Sequence, residues 1–280
     1  MKTKTMYIFA KSPVHVGAGS SVGVVDSPIM RERHTKTPII PGSSLKGVLA
    51  DMWNEKIGEK ITRNDAGKTL LGNGGDNNNA SAGELLIGEA RTLVFPVRSA
   101  KGGFAWVTCP FALQRFSRDT GIVLEDIPEN LEDSQCYASK KTKLGESVVL
   151  EEYKLTAEGE PDKIAEALAV ASSDQLWQTI TDRLVIVSDE MFSYFVENAC
   201  EVVTRIRVND TTGVVEPGAL FNHEQVPSET MFYSVIGTMK EEENINCLVK
   251  KIQENNNIIQ VGGDATIGLG FCSISFEEKK

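Results

Sequence analysis

Apolar and polar positions alternate at strand period near both ends of the chain and recur at helical period in several stretches between. Residues 5–16, TMYIFAKSPVHV, mix β-branched and aromatic side chains with partial alternation, which predicts a strand. Residues 17–41 hold Gly17, Gly19, Gly23, Pro28, Pro38 and Pro41 and read as loop. In GSSLKGVLADMWNEKIG, Ser43 or Ser44 can cap a helix along which Leu45, Val48, Leu49, Met52 and Trp53 recur at helical spacing. Residues 62–82 are rich in Gly, Asn and Asp and predict a flexible insertion. A strand follows over residues 84–97, then FAWVTCPFALQRFSRD as a strand running into a short helix. Residues 119–145 read as polar loop, 162–182 as helical patches and 189–199 as a helix. Residues 201–210 and 229–239 alternate like strands, and 243–255 form an amphipathic helix. IIQVGGDATIGLGFCSISF closes the chain as strand, glycine loop and strand.

The two ends thus give strand–helix–strand twice, with a long insertion of roughly residues 60–200 between them. That is the order of an α+β, ferredoxin-like fold, read here as one elaborated domain over residues 1–280.

Composition narrows the partners. The 280 residues carry a net charge of −10, the opposite of an ordinary basic nucleic-acid binder. A polyanion site must therefore be a local patch or be built from backbone amides. No apolar run is long enough to span a bilayer, and Lys11 interrupts the only stretch resembling a signal peptide. The five cysteines are scattered, with no CxxC, so neither a zinc site nor a disulfide framework is expected. Each reads as a small buried hydrophobe, and a reducing cytoplasm fits.

Four constellations could carry chemistry. VGGDATIGLGF (Val261–Phe271) has four glycines in nine positions between two strand patterns. Such a turn can offer amides to phosphate oxygens or can simply be a Gly-rich hairpin. In PGSSLKG (Pro41–Gly47), two hydroxyls and the Lys46 ammonium sit at a predicted helix N-terminus, which is either an anion site or an ordinary cap. In GVVDSPIMRERHTK (Gly23–Lys36), Asp26 lies beside a basic knot of Arg31, Arg33, His34 and Lys36. An aspartate in a proline-containing turn is commonly turn chemistry, yet a basic cluster in an acidic chain favours a polyanion. In Arg205–Tyr233, the NDTTG turn signal predicts a protruding hairpin, a candidate wedge or partner contact.

Taken in order, HVGAG (His15–Gly19), VVDSPIMRER (Val24–Arg33), PIIPGSSLKG (Pro38–Gly47), DTTGVVEPGALF (Asp210–Phe221), PSETMFY (Pro227–Tyr233) and GGDATIGLG (Gly262–Gly270) resemble the backbone RAMP subunit of type III-B (Cmr) CRISPR effector complexes. The resemblance implies an RRM-like palm with a thumb hairpin, here roughly residues 205–221. It implies a cytoplasmic subunit that polymerises as a filament along a guide RNA beside other subunits of the complex. It also implies cleavage of the target RNA near each thumb, in a divalent-metal-dependent reaction with Mg²⁺ or Mn²⁺. The family's loop aspartate falls on Asp26, its guide-backbone contact on Ser43, Ser44 and Lys46, and its glycine hallmark on Gly262, Gly263, Gly268 and Gly270.

A splayed nucleotide can bring its 2′-hydroxyl in line with the scissile phosphate, and alignment alone supplies much of the rate. Asp26 is then the general base or a metal ligand. His15 is the candidate general acid and Glu229 a further catalytic candidate, whereas Arg31, Arg33 and Lys36 would grip target phosphates. Of Phe232 and Tyr233, which alternate faces, one is expected in the core. His34 and His223 receive no role. Three other readings stay open: a purely structural RNA-binding subunit, a guide-processing nuclease, and an enzyme whose glycine loop holds a phosphorylated small molecule.

Overall fold

The computed structural model describes residues 1–19, 23–73, 80–209 and 211–277. Its centre is an antiparallel sheet. The first strand (Lys2–Ala10) lies between the last (Phe271–Phe276) and Met231–Thr238, and the latter pairs on its far side with Ala90–Ser99. In chain order that sequence is fourth, first, third, second, the order of the ferredoxin-like fold read from the two chain ends. The two crossover helices, Gly42–Asp51 and Glu243–Glu254, bury Leu45, Leu49, Leu248 and Ile252 with Met6, Ile8, Phe232 and Ile274 of the sheet. Beyond Ala90–Ser99 the sheet continues through the inserted region, ending on Ser147–Leu150.

The alternation of the first strand explains the second layer. Met6 and Ile8 face the crossover helices, so Tyr7 and Phe9 face the other way, as do Met231 and Tyr233. In an RRM, aromatics on that open face stack on RNA bases. Here the insertion covers them. Phe9 lies 5.6 Å from Trp177 and Tyr7 6.2 Å from Phe116, which also meets Tyr233 edge-on at 5.1 Å. Phe232 and Tyr233 are therefore both core residues, where only one was expected, because the sheet is buried on both faces.

Several elements depart from the sequence reading. The first strand ends at Ala10, and residues 11–17 leave it, making isolated bridges at Val14 and Gly17. Within the expected flexible insertion, Asp65–Leu71 is a helix capped by Asn64, and it buries Leu70 and Leu71. Residues 74–79 of that segment and Asp210 lie outside the described residues. Gln135–Ala138, expected as loop, is a short strand between Tyr153–Gly159 and Leu184–Ile186. Helix Gly42–Asp51 starts one residue before Ser43. Pro41 occupies the cap position and no side chain caps the helix, so Ser43 and Ser44 lie within its first turn.

The hairpin rises from this body as Glu201–Val208 paired with Val215–Gln225, longer than expected at both ends. Val202, Ile206, Val214 and Leu220 are exposed along it, and among its described residues only the base is buried.

The buried second face gives a direct check. Phe9→Ala should lower the unfolding free energy by about 3–5 kcal/mol in urea denaturation, as for a core aromatic, and should do so with no RNA present.

Candidate functional site

The site lies where the thumb meets the palm. After the first strand the chain passes His15, and the loop of residues 24–31 lies along the returning thumb strand. Ser27 N–H donates to the Asn222 carbonyl at 3.0 Å, and Glu224 N–H donates to the Ser27 carbonyl at 3.1 Å. These bonds place Asp26 opposite Asn222, whose N–H donates to Asp26 Oδ2 at 2.7 Å. The Asn222 side chain is itself held by the Thr204 hydroxyl at 2.9 Å. Asp26 Oδ1 has no hydrogen-bond partner among the described residues, and Asp26 is exposed. The result is a carboxylate fixed through one oxygen and open through the other.

Glu224 anchors the rest of the loop. Its carboxylate accepts from Ile29 N–H at 3.0 Å and from Arg31 Nη2 at 2.6 Å. Arg31 also donates to the carbonyls of Lys36 and Val196. This guanidinium, expected on target phosphates, is thus a largely buried tie that holds the loop. Arg33 and Lys36 are exposed, with no ion pair among the described residues. His34 is exposed, 3.6 Å from Glu32.

His15 is buried, and its Nδ1 lies 2.6 Å from the Glu224 carbonyl. A carbonyl only accepts, so the neutral ring carries its proton on Nδ1. Nε2 is then an acceptor, 3.4 Å from the Ser27 hydroxyl. In this tautomer Nε2 has no proton to give, so a general-acid role requires His15 to be protonated first.

Against its ring, 3.7 Å between centroids, lies His223, which sequence reasoning left without a role. His223 Nε2 is 3.0 Å from Asp264 Oδ2, and Nδ1 is 3.3 Å from Gln225 Nε2. Burial, with the neighbouring His15 and Arg205, pulls its pKa down to about 4 despite Asp264. His223 is therefore neutral at pH 7, and the two stacked rings avoid adjacent positive charge.

The glycine loop supports His15 from below. Gly262 has φ 85°, and a Cβ there would be driven into the His15 carbonyl oxygen, so only glycine fits. Gly263 N–H donates to that same carbonyl at 2.9 Å, and Gly270 N–H donates to Pro13 at 2.8 Å. Gly268 takes a left-handed φ at the end of the turn Ala265–Ile267. The amides of Asp264, Ala265 and Thr266 have no acceptor among the described residues. Part of the motif is thus packing, and part remains open to an anion.

Ser43 and Ser44 lie in the first helical turn, ahead of the first intrahelical bond from Leu45 N–H to Pro41, and Lys46 carries no ion pair among the described residues. Helix-start amides, two hydroxyls and an ammonium suit an anion. Glu229 is not brought to the Asp26 group. Its partners are Ala10, Trp106 and Ser228, and its backbone is left-handed with φ 66°.

Asn222, His223 and Glu224 were missed as a set. A run of four polar residues, Asn222–Gln225, inside a strand at the base of a hairpin was the available signal.

His223 gives a pH-dependent stability. The unfolded ring titrates near 6.5 and the folded one at about 4, so the unfolded chain takes up a proton first as pH falls. Its contribution is complete above pH 6.5 and is lost between there and about 4, up to about 3 kcal/mol. Urea unfolding of His223→Gln should show a correspondingly flatter acid limb than the native chain.

The RAMP superfamily model matches residues 8–273. The CRISPR system Cmr endoribonuclease Cmr4 of Pyrococcus furiosus is 37% identical, over 99% of this chain and 97% of its own length. A crystal structure of oligomeric Cmr4 from the same organism superposes with a TM-score of 0.75 at 31% identity, covering 99% of both chains. A type III-B Cmr-beta complex bound to cognate target RNA contains a chain of the same fold, with a TM-score of 0.75 at 22% identity over 99% of this chain and 97% of that one. The chain belongs to the RAMP superfamily and, within it, to the Cmr4 family.

Proposed function

We propose that the chain is the RNA-binding backbone subunit of a type III-B CRISPR ribonucleoprotein, and that it cuts complementary target RNA at the Asp26 loop. The observation that carries this reading is the pinned carboxylate: Asp26 is fixed by the thumb's own Asn222 and keeps one oxygen free at the base of a hairpin that exposes apolar side chains. Support for the activity comes from the Pyrococcus furiosus relative named an endoribonuclease, and support for self-assembly from its oligomeric crystal form.

In this reading copies of the chain line up along the guide, with other subunits of the effector complex at their sides. The guide backbone lies on the first turn of Gly42–Asp51, with Ser43, Ser44 and Lys46, and on the open amides of the glycine loop. Arg33 and Lys36 face target phosphates, while Arg31 acts only through Glu224. The exposed Val202, Ile206 and Leu220 give the thumb an apolar surface suited to wedging between bases. Binding at such a site separates neighbouring nucleotides and aligns a 2′-hydroxyl with its phosphate. Asp26 Oδ1 then accepts the hydroxyl proton as general base while the 2′-oxygen bonds to phosphorus, the P–O5′ bond breaks and the departing 5′-oxygen takes a proton from water.

The alternative to the base role is a divalent cation, Mg²⁺ or Mn²⁺, on the same oxygen. No group of three His, Cys, Asp or Glu side chains among the described residues is placed to hold a metal ion, so the protein would offer Asp26 alone and the RNA phosphates would complete the shell, a mode common for Mg²⁺. Bound there, the cation would neutralise phosphate charge. No helix among the described residues is long and apolar enough to cross a membrane. Five free cysteines support a reducing cytoplasm as its place of work, although Cys247 is exposed and Cys200 half-buried where buried hydrophobes were expected.

In a complex reconstituted with guide RNA, Asp26→Ala should lower single-turnover cleavage by about 10²–10⁴-fold and leave target affinity unchanged. Full cleavage by that variant would instead make the loop a clamp and the chain a structural subunit.

A further inference from the structure

The glycine loop Val261–Phe271 carries one charged side chain, Asp264. A carboxylate is out of place there if the loop only offers amides to phosphates, because it repels them. Its partners explain it. Asp264 Oδ2 accepts from Arg205 Nη1 at 2.7 Å and lies 3.0 Å from His223 Nε2. Arg205 belongs to the outgoing thumb strand and His223 to the returning one. Both thumb strands and the palm's glycine loop therefore meet on one oxygen atom. The backbone of Asp264 is left-handed, with φ 64°, a conformation that Asp and Asn tolerate better than other side chains.

The same contact continues to the reacting group. His223 stacks on His15, whose carbonyl is held by Gly263 N–H and whose Nε2 faces the hydroxyl of Ser27, the residue after Asp26. Asp26 itself hangs on Asn222, the residue before His223. A tilt of the thumb against the glycine loop thus moves both supports of Asp26. As a stabiliser the Arg205–Asp264 pair is weak, since the Asp264 side chain is 33% exposed. What it fixes is geometry.

We propose that Asp264 is a positioning residue for target cleavage, locking both strands of the thumb base to the glycine loop so that Asp26 stands in line only when the thumb is seated. The inference rests on the cleavage reading above. It predicts that Asp264→Ala, in the complex reconstituted with guide RNA, lowers the single-turnover rate constant at saturating target by about tenfold or more. Target affinity stays at the native value, so the defect appears in rate and not in binding. Asp264→Asn keeps an acceptor for both donors and the left-handed turn, and should restore most of the rate.

Arg205→Gln breaks the bridge from the thumb side and should reproduce the slow, tight-binding behaviour, which covers the case in which Asp264→Ala does not assemble. A native rate in Asp264→Ala or in Arg205→Gln overturns the proposal. So does a loss of target affinity matching the loss of rate, which would make the residue an RNA contact, or an Asp264→Asn complex as slow as Asp264→Ala. Failure of the cleavage reading is separate: it would show as cleavage surviving Asp26→Ala, whatever Asp264 does.

Discussion

A sheet that is apolar on both faces must be covered on both faces, and in this chain that requirement moves the chemistry off the sheet. The crossover helices cover Met6, Ile8 and Phe232, and the insertion covers Tyr7, Phe9 and Tyr233 with Phe116 and Trp177. The surface an RRM uses for stacking is thereby lost to nucleic acid. What stays open is the ground around it: the loop after the first strand, the glycine loop before the last, the start of one helix and the projecting thumb. All but the helix start meet at the base of the hairpin.

That junction is polar, largely buried and closely bonded. Glu224 ties Ile29 and Arg31, accepts from His15 through its carbonyl and donates to Ser27 through its amide. His223 pairs with Asp264 and stacks on His15. Such a network specifies one arrangement because an unpaired buried member is costly. Removing Glu224 would leave the Arg31 guanidinium without its counter-charge, a break of the kind that destabilises by about 3–5 kcal/mol. The apparent weakness of a site with a single carboxylate is offset in this way: Asp26 needs no second acid beside it if the surroundings fix its position and the RNA supplies the nucleophile.

Much of this was legible in the residues. Strand–helix–strand at both ends gave the palm because Met6, Ile8 and Leu248 keep clean periodicity, and NDTTG between alternating segments gave the thumb. The Gly262 motif could be seen, but not that its glycine exists to admit the His15 carbonyl. Asp65–Leu71 was hidden because its two buried leucines sit in a polar, Gly-rich context. Gln135–Ala138 was hidden because a four-residue strand is made by its neighbours and not by its own pattern. The site failed in a similar way. Asp26 stood out beside basic residues, whereas Asn222, His223, Glu224 and Asp264 act through pairings across long stretches of chain. The tie of Arg31 to Glu224 was hidden because charge is visible in sequence and a partner 193 residues away is not.

The central claim is that the open oxygen of Asp26 assists attack by the target's own 2′-hydroxyl. The ends of the cleavage products test it most directly. Attack by the 2′-hydroxyl leaves a 2′,3′-cyclic phosphate on one fragment and a 5′-hydroxyl on the other, and mass spectrometry of products from the reconstituted complex should find these. Products carrying a 5′-phosphate and a 3′-hydroxyl would mean that water is the nucleophile, and would contradict the account.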